Sequence, residues 1–239
     1  MKLSVIVPVY NERRTIEAIL AKVRAVDVPK EIMVVDGHSI DGTLDILKEE
    51  EKRPDTFVIR QPRRMGRGSA LKEGIRRATG DVVIFQDADL ELDPADYPAL
   101  LRPIEEGRAT VVFGSRFLAG RPQMSFLQYW GNRCINAAVN GLYGTRLTDV
   151  ETCYQVFRRE ALEGIELRNN DFAFTVELTV NLILKGYDIL EIPITYVPRG
   201  RSQGKKVYWK DGFVSLYTLV RRRFSRERRL PGPDGPAGR

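Results

Sequence analysis

Two rhythms of apolar and polar positions alternate along residues 1–115. Residues 3–10 (LSVIVPVY), 31–36 (EIMVVD), 56–60 (TFVIR), 81–86 (DVVIFQ) and 109–115 (ATVVFGS) are short Val- and Ile-rich runs, the pattern of buried strands. Between them the apolar spacing lengthens to three and four. In residues 12–26 it sets Ile16, Ile19, Leu20 and Val23 on one helical face. Residues 68–78 do the same with Ala70, Leu71, Ile75 and Ala78, and residues 41–51 form a further helix. Asp93 followed by Pro94 is a cap with proline at the first helical position, opening a helix in ADYPALLRPIEE. Strands alternating with helices predict an α/β fold: a Rossmann-like, mostly parallel, doubly wound sheet with helices on both faces. No repeat and no internal linker interrupts it.

Near the C-terminus the rhythm changes. From Trp209, apolar residues recur at Phe213, Leu216, Tyr217, Val220 and Phe224, one face of an amphipathic helix, and RRRFSRERR (221–229) follows. Such a helix either packs on the domain with a solvated basic end or lies in the interface of an anionic membrane. The Pro/Gly-rich LPGPDGPAGR reads as disordered. The expected division is a globular domain at 1–206, a basic amphipathic helix at 207–229 and a tail at 230–239.

With 239 residues, 43% of them hydrophobic, the chain can bury one large core. Cys134 and Cys153 are too few for a disulfide framework and lack metal-ligand spacing. No signal-peptide pattern opens the chain, and no apolar run approaches the roughly 18 residues of a spanning helix. The expectation is a cytoplasmic protein, peripheral on the cytoplasmic membrane face where it meets lipid. The net charge of +6 is unevenly placed: residues 199–229 carry 11 Lys and Arg against 2 acids, and residues 1–198 are net −3. That asymmetry predicts an anionic partner at the C-terminal end. RNA-binding motifs are missing, so no specific nucleic acid is expected. The sequence assigns no oligomeric state.

Ligands of doubly wound sheets bind beyond the carboxyl ends of the strands. That edge collects Asn11 and Glu12 after the first strand, Asp36 at the end of the second, Asp87, Asp89 and Glu91 after the fourth, and Ser115 and Arg116 after the fifth. If the chain stays extended past Gln86, the three acids share one side. Like charges held that close need a counterion, and an all-oxygen set suits Mg²⁺ or Mn²⁺. The alternative is a solvated acidic loop whose Asp93 caps the next helix. GRG at 66–68 is too short for a dinucleotide fingerprint; it reads as a close approach of backbone to a nucleotide, with Arg67 beside it. The single histidine, His38, makes no metal site alone, and Cys153 reads as a small buried hydrophobe.

Nine segments stand in a telling order: VIVPVYNE (5–12), VVDGHSIDGT (34–43), RRMGRGSALKEGIRRATGD (63–81), QDADLELDP (86–94), VVFGSRF (111–117), TDVETCYQVFRR (148–159), FAFTVELT (172–179), EIPITYVPR (191–199) and GKKVYWKDG (204–212). Over residues 3 to about 212 the chain resembles the family 2 inverting glycosyltransferases of the GT-A fold, close to the polyprenyl-phosphate sugar synthases of the dolichyl-phosphate mannose type. The resemblance implies transfer of a hexose from a nucleotide sugar, of the UDP-glucose or GDP-mannose type, to a polyprenyl or dolichyl phosphate at the membrane surface. It implies that Pro8, Tyr10, Glu12 and Asp36 surround the nucleotide, with Arg67 nearby. It implies that Asp87, Asp89 and Glu91 hold a divalent ion on the donor diphosphate, with Asp89 central to catalysis. Arg116 and Arg133 match the family's acceptor-phosphate arginines, and Arg199, Lys205 and Lys206 lie in a segment resembling the loop that closes over donor and acceptor. One departure stands out: Asp36 is followed by Gly37, where the family often has a second acid.

A phosphate acceptor arrives ionised and needs positioned cations; a hydroxyl acceptor needs a general base. Glu177 is the residue a base-dependent relative would use. The second reading therefore keeps the donor chemistry and moves the sugar to a soluble hydroxyl acceptor. A third, a nucleic-acid-binding module built on the basic tail, fits less well because its basic residues cluster outside the fold.

Overall fold

The computed structural model describes residues 1–171, 173–199 and Leu219. Seven apolar runs become strands: β1 (Leu3–Val9), β2 (Lys30–Asp36), β3 (Thr56–Arg60), β4 (Val82–Phe85), β5 (Val111–Ser115), β6 (Gln155–Arg158) and β7 (Ile189–Pro193). They form one sheet in the order β3-β2-β1-β4-β6-β5-β7. The helices are α1 (Ile16–Ala25), α2 (Thr43–Glu50), α3 (Arg67–Arg77), α4 (Tyr97–Glu105), α5 (Phe126–Tyr143), α6 (Arg159–Leu162) and α7 (Ala173–Leu184). Every strand and helix expected from the N-terminal pattern is present, with ends shifted by a few residues. Asp93 accepts from Ala95 N at 3.1 Å, with Pro94 next to it, as a cap should.

The sheet is mostly parallel, with one exception. β6 runs antiparallel to both β4 and β5. Its first residue, Gln155, pairs with Phe113 near the carboxyl end of β5. The chain therefore returns from α5 to the same edge it left, instead of crossing the sheet first. Alternate strand residues feed two cores: Val5 and Val7 join Ile19 and Leu20 of α1 and Leu100 of α4, while Ile6 joins Leu71 of α3 and Leu178 of α7. Helix α7 is buried continuously from Ala173 to Leu182, because Val176 and Val180 also pack against Ile135 and Val139 of α5 and against Leu219.

Pro8 marks where the sheet opens. Ile6 O accepts from Gln86 N at 3.0 Å and Val9 O from Gly37 N at 2.8 Å, so even positions of β1 face β4 and odd positions face β2. Pro8 thus turns its missing donor toward β4, whose pairing with β1 ends at Phe85. A proline is tolerated in a central strand where the ladder has stopped. Beyond it the two strands part, at the point where the strand order reverses and a crevice is expected.

At the opposite end of the sheet Glu31, 3% exposed, ties three segments together. Lys2 Nζ, Ser4 Oγ, and the amide and hydroxyl of Thr79 all donate to its carboxylate at 2.5–2.7 Å. Burial alone would raise the carboxyl; these hydrogen bonds, Lys2 foremost, outweigh it and hold Glu31 at about 2. A lowered folded-state pKa stabilises the fold above the unfolded value and is lost as pH falls toward the folded one. Glu31→Gln is therefore expected to cost up to about 3 kcal/mol at neutral pH. It should also flatten the urea-stability profile between the ordinary 4.5 and about 2. A variant that matches wild type at both ends of that range would show the cluster to be idle.

Candidate functional site

Short turns lace the carboxyl edge together. Asp36, 1% exposed, accepts from the amides of His38 (3.0 Å) and Ser39 (3.1 Å), so its carboxylate closes its own turn. Asn11, in the left-handed region at φ 53°, donates its amide to Ser39 Oγ at 2.9 Å and accepts from Ile40 N at 2.9 Å. The ends of β1 and β2 are thereby fixed side by side. Above the crevice the Arg64 guanidinium lies 4.7 Å from the Tyr10 ring centre, within reach of a cation–π contact.

After β4 the chain does not stay extended, which corrects the premise that one face carries all three acids. Leu90 adopts φ 64°, and each acid takes its own hydrogen-bond partner. Arg67 Nε donates to Asp87 Oδ1 at 2.8 Å, Arg199 N to Glu91 Oε1 at 3.0 Å, and Glu91 N to Asp89 Oδ1 at 3.1 Å. Beneath the loop Gln86 is fully buried. Its Oε1 accepts from Tyr97 OH (2.8 Å) and Tyr154 OH (2.7 Å), and its Nε2 donates to Asp87 O (3.0 Å). This network joins β4, α4 and the approach to β6, and it fixes the start of the acidic loop. Burial first, then Asp87 and Glu91, push the Asp89 carboxyl up to about 7, with Arg199 opposing them.

A strap at 194–199 lies across that loop. Leu92 and Tyr196 form an isolated bridge, Val197 N donates to Glu91 O at 2.9 Å, and Thr195 N donates to Asp96 Oδ2 at 2.8 Å. The strap delivers Arg199, whose Nε donates to Asp89 O at 2.8 Å and whose guanidinium pairs with Glu12 at 2.7 Å. Glu12 and Arg199, expected on the nucleotide and acceptor sides respectively, are thus direct partners beside Asp89. Lys205 and Lys206, the 207–229 helix and the 230–239 tail lie outside the described residues, Leu219 excepted.

Arg116 stands farther along the edge. Its Nε and NH2 grip Asp149 in a fork, both at 2.7 Å, and NH2 also reaches Asn132 Oδ1 at 3.1 Å. Asp149 is 0% exposed and accepts the Arg116 amide as well, at 2.9 Å. The amides of Thr148 and Asp149 in turn donate to Glu191 of β7, at 2.8 and 2.9 Å. Tyr196 of the strap places its ring centre 5.4 Å from the Arg116 guanidinium, so the strap touches Arg116 and the acidic loop alike. A cavity of about 650 Å³ opens between residues 116–123 and 193–198, with Arg116, Arg121 and Tyr196 in its walls. Arg133 is exposed on α5, next to Asn132.

Glu177 sits in α7 at 2% exposure. Its Oε2 accepts from Arg168 N (3.0 Å), Asn169 N (2.8 Å) and Asn169 Nδ2 (2.9 Å), so it holds the turn before α7. The glycines of GRG make room for that same segment, where the sequence reading placed a nucleotide. A Cβ on Gly66, at φ 91°, would meet Asp171 Oδ1 at 2.3 Å, and one on Gly68 would meet Phe174 Cβ at 2.7 Å. Arg67 between them is carried to Asp87; its NH1 donates to Thr175 Oγ1 at 3.3 Å, and its NH2 is buried without a hydrogen-bond partner among the described residues. Cys153 is half-buried, its thiol raised by burial and then by Asp87, so it stays protonated and inert.

Among the described residues, no three His, Cys, Asp or Glu side chains stand close enough to hold an ion by themselves. Asp89 nevertheless shows a shortage of positive charge, since two neighbouring carboxylates help to raise it. An all-oxygen donor set suits a hard divalent cation that takes one or two carboxylates and completes its shell with water and phosphate oxygens. The residues present fit such an ion.

A family model described as Glycosyl transferase family 2 matches residues 4–165. The chain is 30% identical over 211 residues to a dolichol-phosphate mannosyltransferase of Pyrococcus furiosus, covering 86% of this chain and 59% of the relative. It is 32% identical over 170 residues to an undecaprenyl-phosphate 4-deoxy-4-formamido-L-arabinose transferase of Serratia proteamaculans, covering 69% of this chain and 51% of the relative. It thus spans little more than half the length of these two relatives. Among solved structures, glucosyl-3-phosphoglycerate synthase from Mycobacterium tuberculosis, in complex with Mn²⁺, uridine diphosphate and phosphoglyceric acid, matches with a TM-score of 0.70 at 19% identity, over 92% of this chain and 76% of that one. The shared fold is the GT-A fold. Among the described residues no helix is long and apolar enough to cross a membrane.

Proposed function

The chain belongs to glycosyl transferase family 2, and from that premise we propose that it moves a hexose from a nucleotide sugar, of the UDP-glucose or GDP-mannose type, onto a polyprenyl or dolichyl phosphate with inversion. The observation that carries the proposal is one sheet edge with two opposite needs. The acidic loop gathers Asp87, Asp89 and Glu91, with Asp89 held at about 7, while Arg116 is a guanidinium locked in place by Asp149. The first suits a metal-bound diphosphate and the second an anionic acceptor. The lipid-phosphate class is supported by the names of the two sequence relatives. The donor and ion classes are supported by the uridine diphosphate and Mn²⁺ in complex with the solved synthase.

In this reading Pro8, Tyr10, Glu12, Asp36 and Arg67 form the nucleotide-sugar pocket. Asp89, with Asp87 and Glu91 beside it, would hold Mg²⁺ or Mn²⁺, which offsets the charge that develops on the departing diphosphate. Arg116, Arg133, Arg199, Lys205 and Lys206 are assigned to the acceptor. Bound phosphate presents an ionised oxygen, and that oxygen attacks the anomeric carbon opposite the diphosphate. The bond to the diphosphate breaks and its electron pair leaves with that group. No proton has to be removed, so the chain's task is to orient two anions with charge-assisted hydrogen bonds.

A screen of nucleotide sugars with undecaprenyl phosphate and Mn²⁺, reading released nucleotide and lipid-linked sugar, tests the proposal. One donor should turn over only when the lipid phosphate is present. Turnover with hydroxyl acceptors alone, or with no donor in the panel, would overturn it.

Glu177 gives a second check. Glu177→Gln can keep an oxygen under the three N–H groups at the turn, and a phosphate acceptor needs no base. The loss in rate is expected to stay below about tenfold, against about 10²–10⁴-fold for a missing general base. A variant that folds and binds donor yet is dead on every acceptor would install the hydroxyl-acceptor reading instead.

A further inference from the structure

We propose that the first two turns of α5 are a docking face for an anionic lipid bilayer. Phe126, Leu127 and Trp130 are 75%, 69% and 51% exposed on consecutive turns of this helix. The buried residues of α5, Ile135, Asn136 and Val139, all lie in its second half, where Leu219 and α7 cover it. In the first half no residue is buried, and Phe126, Leu127 and Trp130 are turned outward. Single exposed apolar residues are ordinary, but a contiguous rigid group of them marks a contact surface.

This group is rigid. Ser125 and Gln128 form a reciprocal capping box at the helix start. Phe117 and Tyr129 meet tilted at 5.7 Å, Tyr129 and Trp130 edge to face at 5.7 Å, and Phe126 and Trp130 tilted at 6.2 Å between ring centres. Arg121 covers Tyr129 at 5.2 Å, and Arg133 is exposed one helical turn beyond Trp130.

Charge identifies the occupant. Residues 107–148 contain Arg108, Arg116, Arg121, Arg133 and Arg146 but no Asp or Glu, although residues 1–198 as a whole are net −3. This long segment of an otherwise acidic body carries positive charge alone, as a surface facing fixed negative charge requires. Aromatic rings with a polar or cationic rim match the headgroup level of a bilayer, where apolar bodies sit among the upper acyl carbons and guanidinium groups meet lipid phosphates. The cavity beside Arg116 and Arg121 opens off the 116–123 loop that leads into this helix, so one surface serves both the bilayer and the pocket. The docking face stands on these observations alone, and vesicles that contain no polyprenyl phosphate test it whatever the acceptor proves to be.

The test is co-sedimentation of the full chain with phosphatidylcholine vesicles, with and without phosphatidylglycerol, for the wild type and for Phe126→Ser/Leu127→Ser/Trp130→Ser. The wild type is expected to bind the anionic vesicles at least about tenfold more tightly than the neutral ones, and less so as salt rises. The triple variant should lose at least about tenfold of that affinity. It should melt like the wild type, because the three side chains are exposed. Undiminished vesicle binding by a folded triple variant overturns the proposal. So does a wild type that ignores vesicles but self-associates through these residues in sedimentation, which would make the face a contact with a second copy.

Discussion

Asp89→Asn is expected to lose transfer by about 10²–10³-fold or more, while melting no lower than the wild type in the presence of a chelator. Both halves follow from one fact. The Asp89 carboxyl is raised to about 7 by burial and by Asp87 and Glu91, so in the ion-free protein its charge is a burden. A carboxyl whose folded pKa lies above the unfolded one destabilises the fold at pH values above both. Removing the charge relieves that strain, and the backbone carbonyl that accepts from Arg199 Nε at 2.8 Å is untouched. The charge becomes favourable only when a cation and diphosphate arrive. Mn²⁺ with nucleoside diphosphate should therefore raise the melting temperature of the wild type and leave that of the variant unchanged. Full activity of the variant, or of the wild type in excess chelator, would remove Asp89 from the ion site. A variant that melts well below the wild type in chelator would show that the loop is braced by this carboxylate and not burdened by it.

The strands and helices that place this loop could be read from the chain because each is written locally. A buried strand such as VVIF advertises itself in four residues, and Asp93-Pro94 announces the next helix before any tertiary contact is considered. The strand-end rule then put the acids, Glu12 and Arg116 on one edge, where they lie. What stayed hidden was pairing across distance. Glu12 and Arg199 are 187 positions apart, and Arg116 and Asp149 are 33 apart, with nothing local to link either pair. Two signals for such groups did exist. Gln86 is an amide at the end of an apolar strand, and Asp149 is the first acid after a long acid-free stretch. Both are fully buried and hydrogen-bonded. Where local pattern misled, the backbone was responsible. The two-residue spacing of the acids suggested an extended chain, but Leu90 turns it at φ 64°. GRG suggested a ligand; its glycines also make room for Asn169, Asn170, Asp171 and Phe174.

Arg116 is expected to show two separable losses. Arg116→Ala alone leaves Asp149 charged, fully buried and without its fork, at a cost of about 3–5 kcal/mol in stability. It also removes the guanidinium assigned to the acceptor, so any drop in activity is ambiguous. Arg116→Met with Asp149→Asn resolves this. The pair of charges leaves together, the methionine keeps much of the volume, and the asparagine oxygen can still accept the residue 116 amide that now bonds Asp149 at 2.9 Å. Replacing a buried ion pair by matched uncharged groups is often neutral, so the double variant should recover most of the urea midpoint lost by Arg116→Ala. Acceptor binding should not recover. A charge-assisted hydrogen bond contributes about 1.5–3 kcal/mol, so KM for the lipid phosphate should rise about ten- to a hundredfold in both variants. KM for the nucleotide sugar should stay near wild type, since Arg116 is anchored to Asp149 and Asn132, away from the Glu12–Asp89 crevice. If the double variant regained acceptor affinity together with stability, Arg116 would be a brace and nothing more. If nucleotide-sugar affinity fell in step with that for the acceptor, Arg116 would belong to the diphosphate instead.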